Sequence, residues 1–346
     1  MDRILLVLER LAPEAIELID TRYKILRQIY YHEPVGRRQL CKELNLSERT
    51  VRSEIDKLKA RGAALSTSAG INLSPSGRKL LQEMSDIVPS LLSIQPLAEK
   101  IKQSFHVKEV LIVPGDSSED YLSQKDLGRA AAGYLRKMLK PDSVLAVTGG
   151  TTLAEMAAAM KKVTGMNDVL VVPARGGLGE GLEQQAGTIA ANIADTLGAQ
   201  YRLLHIPDNI EENTAEILKK DVHVKDILQI IKTSSILIHG IGPAMEMAAR
   251  RGLSPTIIDM LQEKNAVAEA FRYYFDEKGN IVYEVPGIGL EMNDLSHIEI
   301  VVAVAGGKRK AEAIKAVLGH GQLDVLITDE GAAREIIQSI EKGWLK

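Results

Sequence analysis

Cysteine is nearly missing from this chain: Cys41 is the single one in 346 residues. One thiol allows neither an internal disulfide nor a cysteine-based zinc site, so the sequence predicts a cytoplasmic protein without a metal centre. Long hydrophobic runs are missing too. No apolar stretch approaches the roughly 20 residues that cross a bilayer, which leaves no membrane partner to expect. The opening Met1-Asp-Arg-Ile-Leu-Leu-Val-Leu-Glu-Arg10 has five apolar residues between charges and no small-residue cleavage site, a poor match to a signal peptide. Nucleotide signatures are lacking as well. No Walker-type lysine follows the glycines, and no G-x-G-x-x-G with an acid in place follows a candidate strand.

What is present is 45% hydrophobic and 26% charged residues, the balance of a soluble globular protein. The length exceeds one small core and predicts two or three domains. Charge is spread unevenly. Residues 21–80 carry 13 Lys/Arg against 5 Asp/Glu, an excess of +8, which leaves −11 for the rest of a chain whose net charge is −3. A basic module joined to an acidic body points to a polyanion partner for the first module alone.

Tyr23, Leu26, Ile29 and Tyr30 recur at helical spacing before Pro34 and Gly36 break the chain. Arg37-Arg-Gln-Leu-Cys-Lys-Glu-Leu44 reads as a short helix, Asn45-Leu-Ser47 as a turn, and Ser47 as the cap of a helix over 48–60. That helix buries Val51, Ile55 and Leu58 and turns a basic, polar face outward. A two-stranded wing turning at Ser68-Ala-Gly70 follows, then a helix from Ser74-Pro75. The layout is a winged helix-turn-helix over residues 1–88. Arg49, Thr50, Arg52 and Ser53 are placed for base edges of duplex DNA, and Arg37, Arg38 and Lys57 for phosphates. A merely solvated helix face accounts for any one of these arginines; the charge excess together with the layout favours DNA. Residues 89–106, interrupted by Pro89 and Pro96, read as a broken amphipathic linker helix.

From Val107 to Lys346 short β-branched runs alternate with helices. Strands are predicted at 109–113, 144–148, 168–173, 200–206, 235–241, 298–305 and 324–328, and helices at 124–139, 152–162, 185–197, 308–318 and 331–340. Continuous apolar strands are buried on both faces, which predicts an α/β class with a Rossmann-like, mainly parallel sheet between helices. A turn at Asp276-Glu-Lys-Gly-Asn280 predicts an antiparallel hairpin beside it. Ligands of such sheets bind at the carboxyl edge. Four edges are rich in glycine or charge: Thr148-Gly-Gly-Thr-Thr152, Pro173-Ala-Arg-Gly-Gly-Leu-Gly-Glu180, His239-Gly-Ile-Gly-Pro243 and Ala305-Gly-Gly-Lys-Arg-Lys310. In the first, glycine lets amides approach an anion, and the threonines and helix N-terminus supply donors. An ordinary capped turn fits that motif alone equally well. Arg175, Arg250, Arg251, Lys308 and Lys310 supply positive charge, and one phosphate would be satisfied by Gly150–Thr152 plus Lys310. The extra arginines argue for a second anionic group on the same ligand, although any single one is as well explained as a surface charge.

A winged helix-turn-helix followed by Thr148-Gly-Gly-Thr-Thr, Val172-Pro-Ala-Arg-Gly-Gly-Leu-Gly-Glu, Ile238-His-Gly-Ile-Gly, Val304-Ala-Gly-Gly and Thr328-Asp-Glu-Gly-Ala resembles the SorC family of bacterial sugar-sensing transcription regulators. The likeness covers nearly the whole chain. It implies a repressor of a glycolytic operon, an effector domain with the fold of glucosamine-6-phosphate deaminase, and fructose 1,6-bisphosphate as effector. It implies that Gly149, Gly150, Thr151, Thr152 and Lys310 hold one phosphate. Arg175, Gln185 and Arg250 would serve the sugar and the other phosphate, with Gln184 and Arg251 as adjacent candidates, and Glu269 would accept from sugar hydroxyls. Family regulators work as dimers or tetramers on operator DNA.

The isomerase-like body raises an alternative, a sugar-phosphate isomerase or deaminase carrying a DNA-binding arm. Such chemistry needs a base and an acid flanking the reacting carbons. Glu269, His239, Asp329 and Glu330 are the candidates. His239 after an apolar strand reads better as packing, and Asp329 and Glu330 are explained by capping the next helix. No paired catalytic constellation emerges, and the sequence predicts a binding protein without cofactor.

Overall fold

The computed structural model describes residues 11–91, 94–177, 181–208 and 210–343. The opening segment compared above with a signal peptide, and Leu178-Gly-Glu180 of the second glycine-rich edge, lie outside the described residues. The chain divides into two compact units, Met1–Gln95 and Pro96–Lys346.

In the first unit, α1 (Pro13–His32) begins ten residues before the Tyr23–Tyr30 periodicity, with Pro13 at its first position, where a missing N–H costs nothing. α2 (Arg37–Leu44) ends on Asn45 in the left-handed conformation, φ 48°, with the Asn45 amide donating back to Cys41 and Lys42 carbonyls. α3 (Glu48–Ala60) is capped by Ser47, whose Oγ accepts from the Thr50 amide at 3.1 Å. Ile25, Leu26, Ile29, Leu40, Val51, Ile55 and Leu58 form the core beneath these helices. β1 (Ala64–Thr67) and β2 (Gly70–Leu73) pair antiparallel as the wing. Val35 adds a bridge to Ile71 through two backbone bonds of 3.0 and 2.9 Å. α4 (Pro75–Leu91) then runs through Pro89, where the sequence had suggested a break. Proline deletes one backbone donor, and here the flanking residues keep the helix.

The second unit opens with α5 (Gln95–Phe105). β3 (Glu109–Val113), α6 (Tyr121–Met138), β4 (Val144–Val147), α7 (Thr151–Ala159), β5 (Leu170–Pro173), α8 (Ala186–Leu197) and β6 (Gln200–Tyr201) follow. Then come α9 (Glu212–Leu218), α10 (Val222–Lys232), β7 (Ile236–His239), β8 (Gly242–Pro243), α11 (Ala244–Arg250) and α12 (Pro255–Glu263). β9 (Ala266–Ala270), β10 (Tyr273–Asp276), β11 (Ile281–Glu284), β12 (Ile300–Val304), α13 (Ala311–His320), β13 (Val325–Asp329) and α14 (Glu330–Gly343) complete it. Seven strands form a parallel sheet in the order β3-β13-β12-β7-β4-β5-β6. Its apolar strands pack under α6, α7 and α8 in one core containing Leu127, Leu145, Val147, Leu153, Met156, Val171, Ile189, Ile193, Ile238 and Ile327.

The expected strand over 200–206 pairs with β5 at only two residues, Gln200 and Tyr201. Beyond them the chain is taken by the Arg175 loop: Gly177 N donates to Ile206 O at 2.9 Å and Asp208 N to Gly177 O at 2.8 Å. The expected hairpin is the edge of a four-stranded antiparallel sheet, β11-β10-β9-β8. The helix expected over 308–318 begins as a single 3-10 turn, Lys308–Lys310, before α13.

Candidate functional site

The four glycine-rich or charged edges leave β4, β5, β7 and β12, which are consecutive in the sheet. The chain winds one way through β4, β5 and β6 and the other way through β7, β12 and β13. The β4–β7 boundary is therefore the topological switch point, where parallel sheets open a crevice. A cavity there is lined by Gly149, Gly150, Arg175, Gly176, Gln184, Gln185, Ala186, Met247 and Arg250. Five of the nine residues expected at an effector site thus share one cleft: Gly149, Gly150, Arg175, Gln185 and Arg250.

The glycines serve closeness more than donation. A Cβ on Gly149 would lie 2.5 Å from Gln184 O, and the Gly150 amide is already given to that carbonyl at 2.9 Å. Gly150 holds φ 129°, outside the range of L side chains, and turns the strand into α7. The donors left over are the first-turn amides of α7. No acceptor among the described residues takes Thr151, Thr152 or Leu153 N–H. Open N-terminal amides with the positive end of the helix dipole are the chemistry of an anion seat. Lys310 is half-buried by the 3-10 turn. Burial pulls its ammonium below the ordinary lysine range, with Glu246 and Asp329 drawing it up and Arg250 and Arg309 pushing it down.

Arg250 and Arg251, adjacent in sequence, separate cleanly. Arg250 lines the cleft and donates from Nη2 to Gln184 Oε1 at 3.1 Å. Arg251 points into the protein, its side chain 0% exposed. Gln184 and Gln185 both line the cleft. Arg175 is buried against Asp208 at 3.1 Å, Glu269 Oε1 at 3.5 Å and the Phe271 carbonyl. Glu269 is buried, and burial raises its carboxyl pKa against the pull of Arg175 and His239. Asp208 is pushed by burial up to about 6 while Arg175 draws it down. Asp208 had no sequence signal: it sits in an irregular segment two residues beyond the strand expected over 200–206.

The residues considered for catalysis are otherwise engaged. Asp329 Oδ2 accepts from Ser117 N at 2.8 Å, Ser117 Oγ at 2.6 Å and Gly307 N at 2.7 Å, and Oδ1 from Ala332 N at 2.9 Å. Glu330 binds Arg334 Nε at 2.7 Å. His239 is buried with Nδ1 3.0 Å from Gly240 O and its ring 4.3 Å from that of Phe271; burial lowers its pKa to about 4. Among the described residues no group of three or more His, Cys, Asp or Glu could hold a metal ion. No helix there is long and apolar enough to cross a membrane.

On the first unit Arg37, Arg38, Arg49, Thr50, Arg52, Ser53 and Lys57 are all exposed, the last five on one helix. Two are partly engaged. Thr50 Oγ1 lies 2.8 Å from Ser47 Oγ in the cap, and Lys57 pairs with Glu54 at 2.6 Å. Glu54, which the sequence reading passed over, is buried under α3 and also takes Arg22 at 2.7 Å. Burial raises its carboxyl, but Lys57 and Arg22 outweigh that and hold it below the ordinary range.

A winged helix-turn-helix with a basic outer face, on the same chain as a parallel sheet with an anion cleft at its switch point, is the plan of a regulator with separate DNA-reading and small-molecule units. Residues 18–88 match the family described as CggR N-terminal DNA binding domain, and residues 92–338 the family described as "Putative sugar-binding domain". The chain is 38% identical to the central glycolytic genes regulator of Priestia megaterium over 98% of this chain and 99% of that one. With the regulator of the same name from Bacillus subtilis it shares 36% over the same proportions. A SorC family transcriptional regulator structure from Enterococcus faecalis superposes with TM-score 0.66 at 39% identity, over 70% of this chain and 99% of that one. The full-length sorbitol operon regulator SorC from Klebsiella pneumoniae, at 17% identity, shares the fold over 94% of this chain and 99% of its own, TM-score 0.65. The chain belongs to the SorC family of sugar-binding transcription regulators.

Proposed function

We propose that this chain represses a glycolytic operon in the cytoplasm, and that a phosphorylated sugar, fructose 1,6-bisphosphate first among candidates, modulates its grip on operator DNA. The observation that carries the reading is the cleft at the β4–β7 switch point. Gly149 and Gly150, which lead into the open first-turn amides of α7, line it together with Arg175 and Arg250, a setting that suits an anion. Lys310 adds the nearby positive charge. Two relatives named central glycolytic genes regulator, matched over 98% of this chain, support the choice of target genes. Residues 1–88 serve as the DNA-binding domain, 89–106 as the connector and 107–346 as the effector domain. Gly149, Gly150, Thr151, Thr152 and Lys310 seat one phosphate. Arg175, Gln185, Arg250 and Glu269 read the sugar and its second phosphate.

The protein binds and reports rather than catalyses. Asp329 has four donors and Glu330 an arginine, so neither carboxylate is poised as a base. Incubation with fructose 6-phosphate or glucosamine 6-phosphate is expected to give no turnover. The dimer or tetramer that family regulators form would bring two basic helices to one operator, and effector occupancy would change their spacing.

A thermal-shift panel of sugar phosphates with an operator-release assay tests the reading. Fructose 1,6-bisphosphate should raise Tm and release operator. Thr152→Ala should lose that response with basal operator binding within about twofold. Equal loss of both in Thr152→Ala would mean misfolding, and no response of the wild type to any sugar phosphate would overturn the effector assignment.

A further inference from the structure

Behind the cleft, two guanidiniums share the same three acceptors. Arg251 gives Nη1 to Asp208 and Nη2 to Glu269 Oε1 at 2.6 Å and to Phe271 O at 3.0 Å. Arg175 Nη1 reaches Asp208, Glu269 Oε1 and Phe271 O as well. The four ionisable groups are buried and their formal charges cancel. They arrive from four places in the chain: Arg175 after β5, Asp208 beyond β6, Arg251 just after α11, and Glu269 in β9. Phe271, at the β9–β10 corner, holds φ 63°, a left-handed conformation that costs a side-chain-bearing residue about 1 kcal/mol or more and that brings its carbonyl to both arginines.

A buried ion cluster is a poor way to add stability, since apolar side chains of equal volume often do as well or better. Its physical return lies in position. Asp208 Oδ2 and Glu269 Oε1 are each shared between Arg175 and Arg251, so Asp208 and Arg251 restrict how the Arg175–Glu269 pair can turn.

We propose that Arg251 and Asp208 are positioning residues of the effector site, presetting Arg175 and Glu269 for the sugar end of the ligand while the α7 amides hold a phosphate independently. This rests on the effector reading above. The two residues act with opposite sign. Without the Arg251 charge, two carboxylates face one guanidinium, the cluster carries −1, and a phosphorylated sugar is repelled. With Asp208 neutral, the cluster carries +1, Arg175 is less restrained, and anions bind better with less attention to the sugar.

The test titrates the full-length protein with two probes, fructose 1,6-bisphosphate and inorganic phosphate. Arg251→Met should weaken the bisphosphate at least tenfold and inorganic phosphate by only severalfold. Arg251→Lys should recover part of the loss, because an ammonium cannot bridge two carboxylates in plane. Asp208→Asn, which keeps the shape of the side chain, should tighten phosphate several-fold and narrow the ratio between the probes. Operator binding and circular dichroism report whether each variant folds, and Asp208→Asn keeps the test decisive where Arg251→Met does not. An unchanged ratio of affinities in the folded variants overturns the positioning role. A wild type that ignores fructose 1,6-bisphosphate overturns the effector reading instead.

Discussion

Gly149 illustrates how tightly single positions bind the cleft together. A methyl there meets Gln184 O at 2.5 Å, backbone against backbone, so neither side can swing away. Gly149→Ala is expected to weaken effector response at least tenfold, read by operator release, while the first unit still binds DNA. His239 makes a different prediction. Its folded pKa of about 4 lies below the ordinary 6.5, so the unfolded chain takes a proton first. Stability is therefore whole above pH 6.5 and falls as pH drops toward 4, by about 3 kcal/mol from this group. Asp208, raised to about 6, works in the opposite sense: its contribution is present below 3.8 and lost as pH rises through 6. Subtracting the pH-stability curve of His239→Asn from that of the wild type isolates the histidine. A flat difference between pH 7 and 4 would refute its neutral burial. The packing role of His239 was readable from its place after an apolar strand. The roles of Arg250 and Arg251 were not, because neighbours at the end of a short helix differ only in which way they face.

At the scale of elements, α2, α3 and the wing were legible because cap, turn and periodicity agree: Ser47 before the helix, Asn45 at the left-handed stop, buried residues at 51, 55 and 58. The parallel strands were legible as apolar runs. Helices α9, α11 and α12 were missed because each has only seven to nine residues. By contrast α10, capped by Asp221 with Ile227, Leu228 and Ile231 on its buried face, carried a signal that was overlooked. β6 was overextended because its edge is claimed by the Arg175 loop. The helix-turn-helix carries two measurable expectations. Ser47→Ala removes the bond to the Thr50 amide and should cost about 1 kcal/mol in denaturant unfolding of the full chain. In operator titrations against salt, Arg37→Ala and Arg38→Ala should each reduce the log–log slope by about 1. Lys57→Ala should change it less, since Glu54 already neutralises that ammonium.

For the whole molecule, the charge asymmetry read from the sequence has a direct use: the second unit, residues 96–346, carries net −6, is repelled by DNA and leaves contact to the basic unit. Linkage then demands reciprocity. Whatever factor the effector takes from operator affinity, operator must take from effector affinity. Titrating each ligand with and without the other should give equal factors, and unequal ones would mean that the oligomer changes between experiments. A single backbone bond sets what such a sensor would distinguish. The amide of Gly150 is bonded to the carbonyl of Gln184, so the helix amides and the residues facing them across the crevice are joined through main chain rather than through adjustable side chains. The gap between them is a caliper of fixed opening. Sugar phosphates with the same charge and different span would be told apart by length, so retuning the protein to another metabolite means moving backbone at 184 and not only exchanging the charges around it.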